Sequence, residues 1–344
     1  MDTIRSLLSY LIPSLPPSEP SPITLHGPTG RYPTSPEHDY TFTLPDGRTL
    51  GYAQYGSLTG KSIFFFHGLP ACRIEGVYFH ELGLKYGARI IATDRPGLGL
   101  SSPHPARILL DYPRDIEKLA RHLGVEEYAI MGASGAGPSI LACAYALPPS
   151  SLKAASLICC CGPSNLIGHR GGAWAHKLGF PYGWRYSPAW LISWAMKNIF
   201  LGPVGRVDLP IETRVRQMLH PKMLASHHAK DLDIMKDEDA LWTMVTSANR
   251  AYGHSFAGAC QDGAVTCSDW GFRIRDIRGD LPVMMWYGTL DMNVPISHGD
   301  YIAAELGLRA GAEGKTEYHV SEDTHTSVFF NNKEEALKEV LKTF

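Results

Sequence analysis

With 344 residues, 44% of them hydrophobic and 19% charged, the chain carries enough apolar material for a large buried core. A formal net charge of −2 without any Lys/Arg cluster excludes the basic surface that a nucleic-acid partner needs, and no apolar run approaches the ~18 residues of a membrane-spanning helix. The seven cysteines are odd in number and lack CxxC pairs, which points to reduced thiols in a cytoplasmic protein and away from a disulfide or metal framework.

Residues 1–36 read as an N-terminal arm. Ile4, Leu7, Leu8, Leu11, Ile12 and Leu15 follow helical spacing before the Pro-rich PSLPPSEPSP, so a short amphipathic helix is expected to dock on the protein itself, on a second copy or on a membrane surface, with protein favoured because the single Arg5 is offset by Asp2. A homodimer through this arm or through the lid described below is one outcome. YTFTLPDGRTLGYAQYG then gives two strands around the turn Pro45-Asp46-Gly47.

From KSIFFFHG onward the pattern alternates. This buried strand precedes a helix near Glu75–Tyr86, then ARIIATD, a helix near Tyr112–Leu123, EEYAIMG, a helix near Gly135–Ala146 and the strand LKAASLICCC, whose adjacent Cys159, Cys160 and Cys161 read as small strand residues. Residues 164–270 break the rhythm. They carry Trp174, Trp184, Trp190, Trp194 and Trp242 in helical patterning with no buried strand, as expected of an inserted helical lid. Alternation resumes with LPVMMWYG, a helix near Ile296–Leu306, KTEYHV and a last helix NNKEEALKEVLKTF. The fold class is therefore α/β, a mostly parallel open sheet flanked by helices, with the core in 37–163 and 271–344 and the lid in 164–270.

The stretch EEYAIMGASGAGPSIL passes from strand to helix through small residues around one serine. A phosphate loop would need Lys and Ser or Thr after its last glycine, where Pro138 stands, and a dinucleotide loop needs GxGxxG where this chain has GxxGxG. A nucleophile elbow needs small residues two before and two after the nucleophile, and Gly132 and Ala136 flank Ser134 in that way. Such a turn presents the serine oxygen at the carboxyl end of the sheet, with the Gly135 N–H aimed at the same spot as half of an oxyanion hole.

Together, HGLP at 67–70, DRPGLGLS at 94–101, GASGAG at 132–137 and DWGFRIRDI with LPVMMWYGTLDMNVP at 269–295 resemble the α/β-hydrolase superfamily in order and spacing, over essentially all of Tyr40 to Phe344. Two departures stand out, Ala136 in place of a glycine and Thr324 before the histidine in DTHTS. Serine needs a base, and the base needs an acid to hold its tautomer. In the superfamily's order the acid is Asp291, after LPVMMWYG, and the base is His325, in a loop between the last strand and the last helix. Leu69 N–H is the expected second oxyanion donor, at a bend eased by Gly68. His67 braces that loop, and the resemblance gives Asp94 and Arg95 the task of fixing it by internal hydrogen bonds.

The resulting expectation is a serine hydrolase acting on an ester, thioester or lactone of a mostly apolar small molecule, without cofactor or metal. Carbon–carbon lyase or cyclase chemistry on a polyketide-like substrate is the alternative within enzymes. A small-molecule receptor built on the same fold is the alternative outside them.

Overall fold

The computed structural model describes residues 24–69, 71–252 and 255–344. Eight strands form one sheet in the order β1-β2-β4-β3-β5-β6-β7-β8: β1 Asp39–Thr43, β2 Thr49–Gly56, β3 Lys61–Phe66, β4 Ala88–Thr93, β5 Tyr128–Ala133, β6 Leu152–Ile158, β7 Val283–Gly288 and β8 Thr316–Ser321. β2 runs antiparallel to both β1 and β4, and every pairing from β4 through β8 is parallel. Parallel strands end at one edge, so the loops after β3, β5, β6, β7 and β8 meet there.

The apolar runs are continuous because both faces of the sheet are covered. Alternate residues of β3 serve opposite sides: Phe64 and Phe66 join Ile130, Leu157 and Met285 beneath the helices Asp111–His122, Gly137–Ala146 and Ile296–Gly307. Ile63 and Phe65 join Met131, Ile158 and Trp286 under the last helix, His325–Leu341. Each face is thereby a separate core.

Three local readings change. The helix expected near 75–86 begins as a 3₁₀ helix, Arg73–Phe79, before the α-helix His80–Tyr86, and its Gly76 lies on β4 so closely that a Cβ there would come within 2.5 Å of Ala92 Cβ. β6 stops at Ile158, because Cys159 adopts φ 43° after its N–H reaches the Trp286 carbonyl. The three thiols therefore sit beyond the strand and are buried, Cys160 and Cys161 in the core beneath the helix that follows β5 and Cys159 on the other face beside His325. The last helix starts six residues earlier than expected, at His325, where Thr324 and Ser327 exchange side chain to backbone hydrogen bonds as a capping box.

Between 164 and 270 the described residues form helices and no strand. Two helices, Glu238–Tyr252 and Ala257–Thr266, tie this block to the core. Tyr78 donates to the Ala240 carbonyl at 3.0 Å, and Gly258 rests on Gly97 with no room for a side chain, since a Cβ would fall 1.9 Å from the Gly97 oxygen. The helix expected in residues 4–15 lies outside the described residues. From Thr24 the chain runs along the lid, where Thr29 bonds Asp239 through both N–H and hydroxyl and Arg31 pairs with Asp237 at 2.9 Å.

Candidate active site

Ser134 follows β5 directly and takes φ 55°, a left-handed conformation that costs a residue with a side chain of order 1–3 kcal/mol. The sequence makes the turn possible by what it omits. A Cβ at Gly132 would lie 2.4 Å from the Phe66 carbonyl and 2.8 Å from Ala136 Cβ, so glycine at the first flank leaves space for alanine at the second. The Ser134 carbonyl accepts from Cys161 N at 2.9 Å, tying the strained turn to the end of the neighbouring strand.

Three loop ends bring the expected nucleophile, base and acid into one file. Ser134 Oγ lies 2.9 Å from His325 Nε2, and His325 Nδ1 lies 2.7 Å from Asp291 Oδ2. The other oxygen of Asp291 accepts from Asn293 N and Val294 N, each at 2.8 Å, so the carboxylate is held at both ends. His325 is the first residue of its helix rather than part of a loop, and the helix fixes its backbone. Burial disfavours its imidazolium, yet Asp291, with the Cys159 sulfur adding to it, outweighs burial and raises the His325 pKa well above the ordinary value.

The HGLP loop after β3 is pinned from three directions. The Gly68 carbonyl takes His67 Nδ1–H at 2.7 Å and the Arg95 guanidinium at 3.0 Å, and the His67 carbonyl takes the other arm of Arg95. His67 Nε2 accepts from Arg95 N at 3.3 Å, so its tautomer is set and both ring nitrogens are spent on the loop. Gly68 N–H is also engaged, donating to Glu75 Oε2 at 2.6 Å. Leu69 packs closely against the residue after Ser134: a Cβ built on Gly135 would lie 3.2 Å from both the nitrogen and the Cβ of Leu69.

Asp94 points away from this centre. It accepts from Arg73 N at 2.6 Å, the Arg73 guanidinium at 2.8 Å and Leu100 N at 2.8 Å, and Gly99 makes room for it, since a Cβ there would be 2.2 Å from a carboxylate oxygen. Arg95 reaches in two directions, to the oxyanion loop and to Asp262 of the lid at 2.8 Å, where Arg107 completes the pairing at 2.6 Å.

Several groups at the site escaped sequence reading. Glu75 follows the HGLP loop in the turn that begins at Arg73; burial pushes its carboxyl up to about 7 against the pull of Gly68 N–H. Cys159 Sγ lies 4.0 Å from His325 Nε2, with burial raising the thiol. Cys159, Asp291 and His325 are the one group of potential metal ligands among the described residues, and Asp291 and His325 are already bonded to each other. Behind the acid loop stand two histidines. His298 Nδ1 accepts from Gly162 N at 3.0 Å, so its proton is on Nε2 and is donated to His169 Nδ1 at 3.2 Å. His169 Nε2–H then reaches the Asn293 carbonyl at 2.7 Å, linking the first lid segment to the loop that holds Asp291. Burial pushes His298 down to about 3 and also lowers His169.

Comparison with known proteins bears on the fold. The sequence profile of the alpha/beta hydrolase fold matches residues 61–203. Proline iminopeptidase of Xanthomonas citri is 36% identical over 122 residues, which are 34% of this chain and 37% of that protein, so the similarity spans well under half of the curated relative. Among solved structures, a hydrolase from Pseudomonas aeruginosa aligns over 89% of this chain and 99% of its own, with a TM-score of 0.58 and 17% identity. A carboxylesterase of Nitrososphaera gargenis aligns over 89% and 100%, with a TM-score of 0.59 and 17% identity. At such identity the structural matches speak for the fold.

Proposed function

Since the chain belongs to the α/β-hydrolase superfamily, we propose that it is a serine hydrolase that cleaves an ester, thioester or lactone of a mostly apolar small molecule. The observation that carries this reading is the file Ser134–His325–Asp291, bonded at 2.9 Å and 2.7 Å. In the first step Ser134 Oγ attacks the carbonyl carbon as its proton passes to His325 Nε2. The new imidazolium keeps its Nδ1–H on Asp291, and the oxyanion falls between Leu69 N–H and Gly135 N–H. His325 then returns the proton to the leaving group, and water activated by the same nitrogen releases the acyl group from Ser134. A fluorophosphonate probe should label the protein once, and Ser134→Ala should abolish labelling; persistence of the label in that variant rejects the assignment.

A second reading is aminopeptidase activity, favoured by the iminopeptidase names of the partial relatives and by the Glu75 carboxylate, which lies on the Gly68 backbone that also abuts Ser134 and suits a substrate ammonium group. Parallel assays on prolyl-naphthylamide and on short-chain p-nitrophenyl esters separate the two. Burst release from the esters with an acyl adduct on Ser134 supports the first. If both substrates are inert while a carbon acid exchanges its α-proton with solvent, lyase or cyclase chemistry replaces both readings.

A further inference from the structure

The outer face of the lid is built unlike the rest of the surface. Trp174, Leu178, Tyr182, Tyr186, Trp190 and Trp194 recur at every fourth position through the helices from Trp174 to Phe200, and each is between 44% and 71% exposed. Eight of the seventeen exposed large hydrophobics among the described residues fall within 166–194, including all three exposed tryptophans. The inner face of the same segment is ordinary core, with Trp184, Ile192 and Met196 packed beside Cys260 and Cys267. Exposed apolar side chains on a segment whose buried residues are already packed have no role in holding that segment together.

The charges point in one direction. From Ser164 to Val207 the sequence contains Arg170, Lys177, Arg185, Lys197 and Arg206 and not one Asp or Glu, in a chain whose net charge is −2. Arg170, Lys177 and Arg185 are exposed and form no ion pair with a described carboxylate, and Arg185 lies over the Tyr186 ring at 5.3 Å. Tryptophan and tyrosine with Lys and Arg among them, and without acids, is the chemistry that settles at the boundary between lipid headgroups and acyl chains. Pairing with a second copy through a two-fold axis would set this face against itself and oppose its cations without partners.

We propose that the outer lid face, Trp174 to Trp194, is a docking surface for an anionic lipid bilayer. The exposed aromatics enter the headgroup region, and Lys177, Arg185 and Arg170 meet the lipid phosphates. Docking brings the site, whose acid loop is bonded to Ala173 and His169 at the start of this segment, to the surface where apolar esters are concentrated.

The test is flotation of the full chain with phosphatidylcholine vesicles, with and without phosphatidylglycerol. Binding is expected only where phosphatidylglycerol is present, with a blue shift of tryptophan fluorescence and loss in high salt. Trp190→Ser with Tyr186→Ser should abolish it, and Lys177→Glu with Arg185→Glu should weaken it by about tenfold or more. Unchanged melting and fluorophosphonate labelling certify that these variants are folded. The proposal is overturned by absent flotation, by equal binding to neutral vesicles, or by binding that survives the aromatic pair. It is equally overturned if removing residues 1–23 abolishes flotation, or if light scattering shows an oligomer that the same substitutions dissolve.

Discussion

A carboxylate 2.7 Å from an imidazole decides the pH at which the serine beside it can be activated. Because Asp291 holds the His325 pKa above the ordinary range despite burial, the neutral imidazole that accepts the serine proton prevails only at higher pH than for a free histidine. The acid limb of kcat/KM should therefore lie above ~6.5 and move down in Asp291→Asn, with turnover lower by several orders of magnitude. A stopped-flow pH profile on an activated ester measures both effects. Glu75 makes a different demand. It supplies the acceptor for Gly68 N–H, so Glu75→Gln, which keeps an acceptor, should retain more kcat/KM than Glu75→Ala. The alanine strands a buried donor at a cost of ~1–3 kcal/mol and loosens the loop that aims Leu69.

At the scale of elements, the two histidines behind the acid loop act as a strap with a defined direction of proton donation, from Gly162 N–H through His298 and His169 to Asn293. Neither ring can be protonated without facing a donor with a donor. With His298 near 3 when folded and ~6.5 when unfolded, the unfolded chain binds the extra proton between those values, so stability must fall as pH drops through that window. His298→Leu should flatten part of that slope in urea titrations while lowering stability at pH 8, where Gly162 N–H and His169 Nδ1 lose their partner. None of this was legible in the sequence, since His169 and His298 are 129 residues apart and neither sits in a motif. The strands and the elbow were legible because they depend on local rules: a buried parallel strand must be continuously apolar, and a tight turn must lack side chains at Gly132. The early start of the last helix was written in T-H-T-S, a hydroxyl cap with a serine in place of the usual acid three residues on, which masked it.

For the whole molecule, the lid is held at one end far more tightly than its helical composition suggests. Gly258 meets Gly97 backbone to backbone, and Gly258→Val would drive a side chain into a carbonyl that belongs to the DRPGLG loop. The variant should lower the melting temperature and open the lid to limited proteolysis before the core unfolds, whereas Gly171→Val, with its nearest neighbour 3.5 Å away but at φ 87°, should show mainly the backbone penalty.

Arg95 gives this anchorage its meaning. One guanidinium grips Asp262 of the lid with one side and the His67 and Gly68 carbonyls with the other. Were the lid to swing away at Asp262, the same movement would slacken the loop that presents Leu69, and a molecule admitted by that route would meet a disarmed centre. The same helix that carries Asp262 also packs against Trp184, Ile192 and Met196 through Cys260 and Cys267, so the aromatic arm, the Asp262 anchor and the Leu69 loop are linked in series, and strain at one end of the insertion is felt at the other.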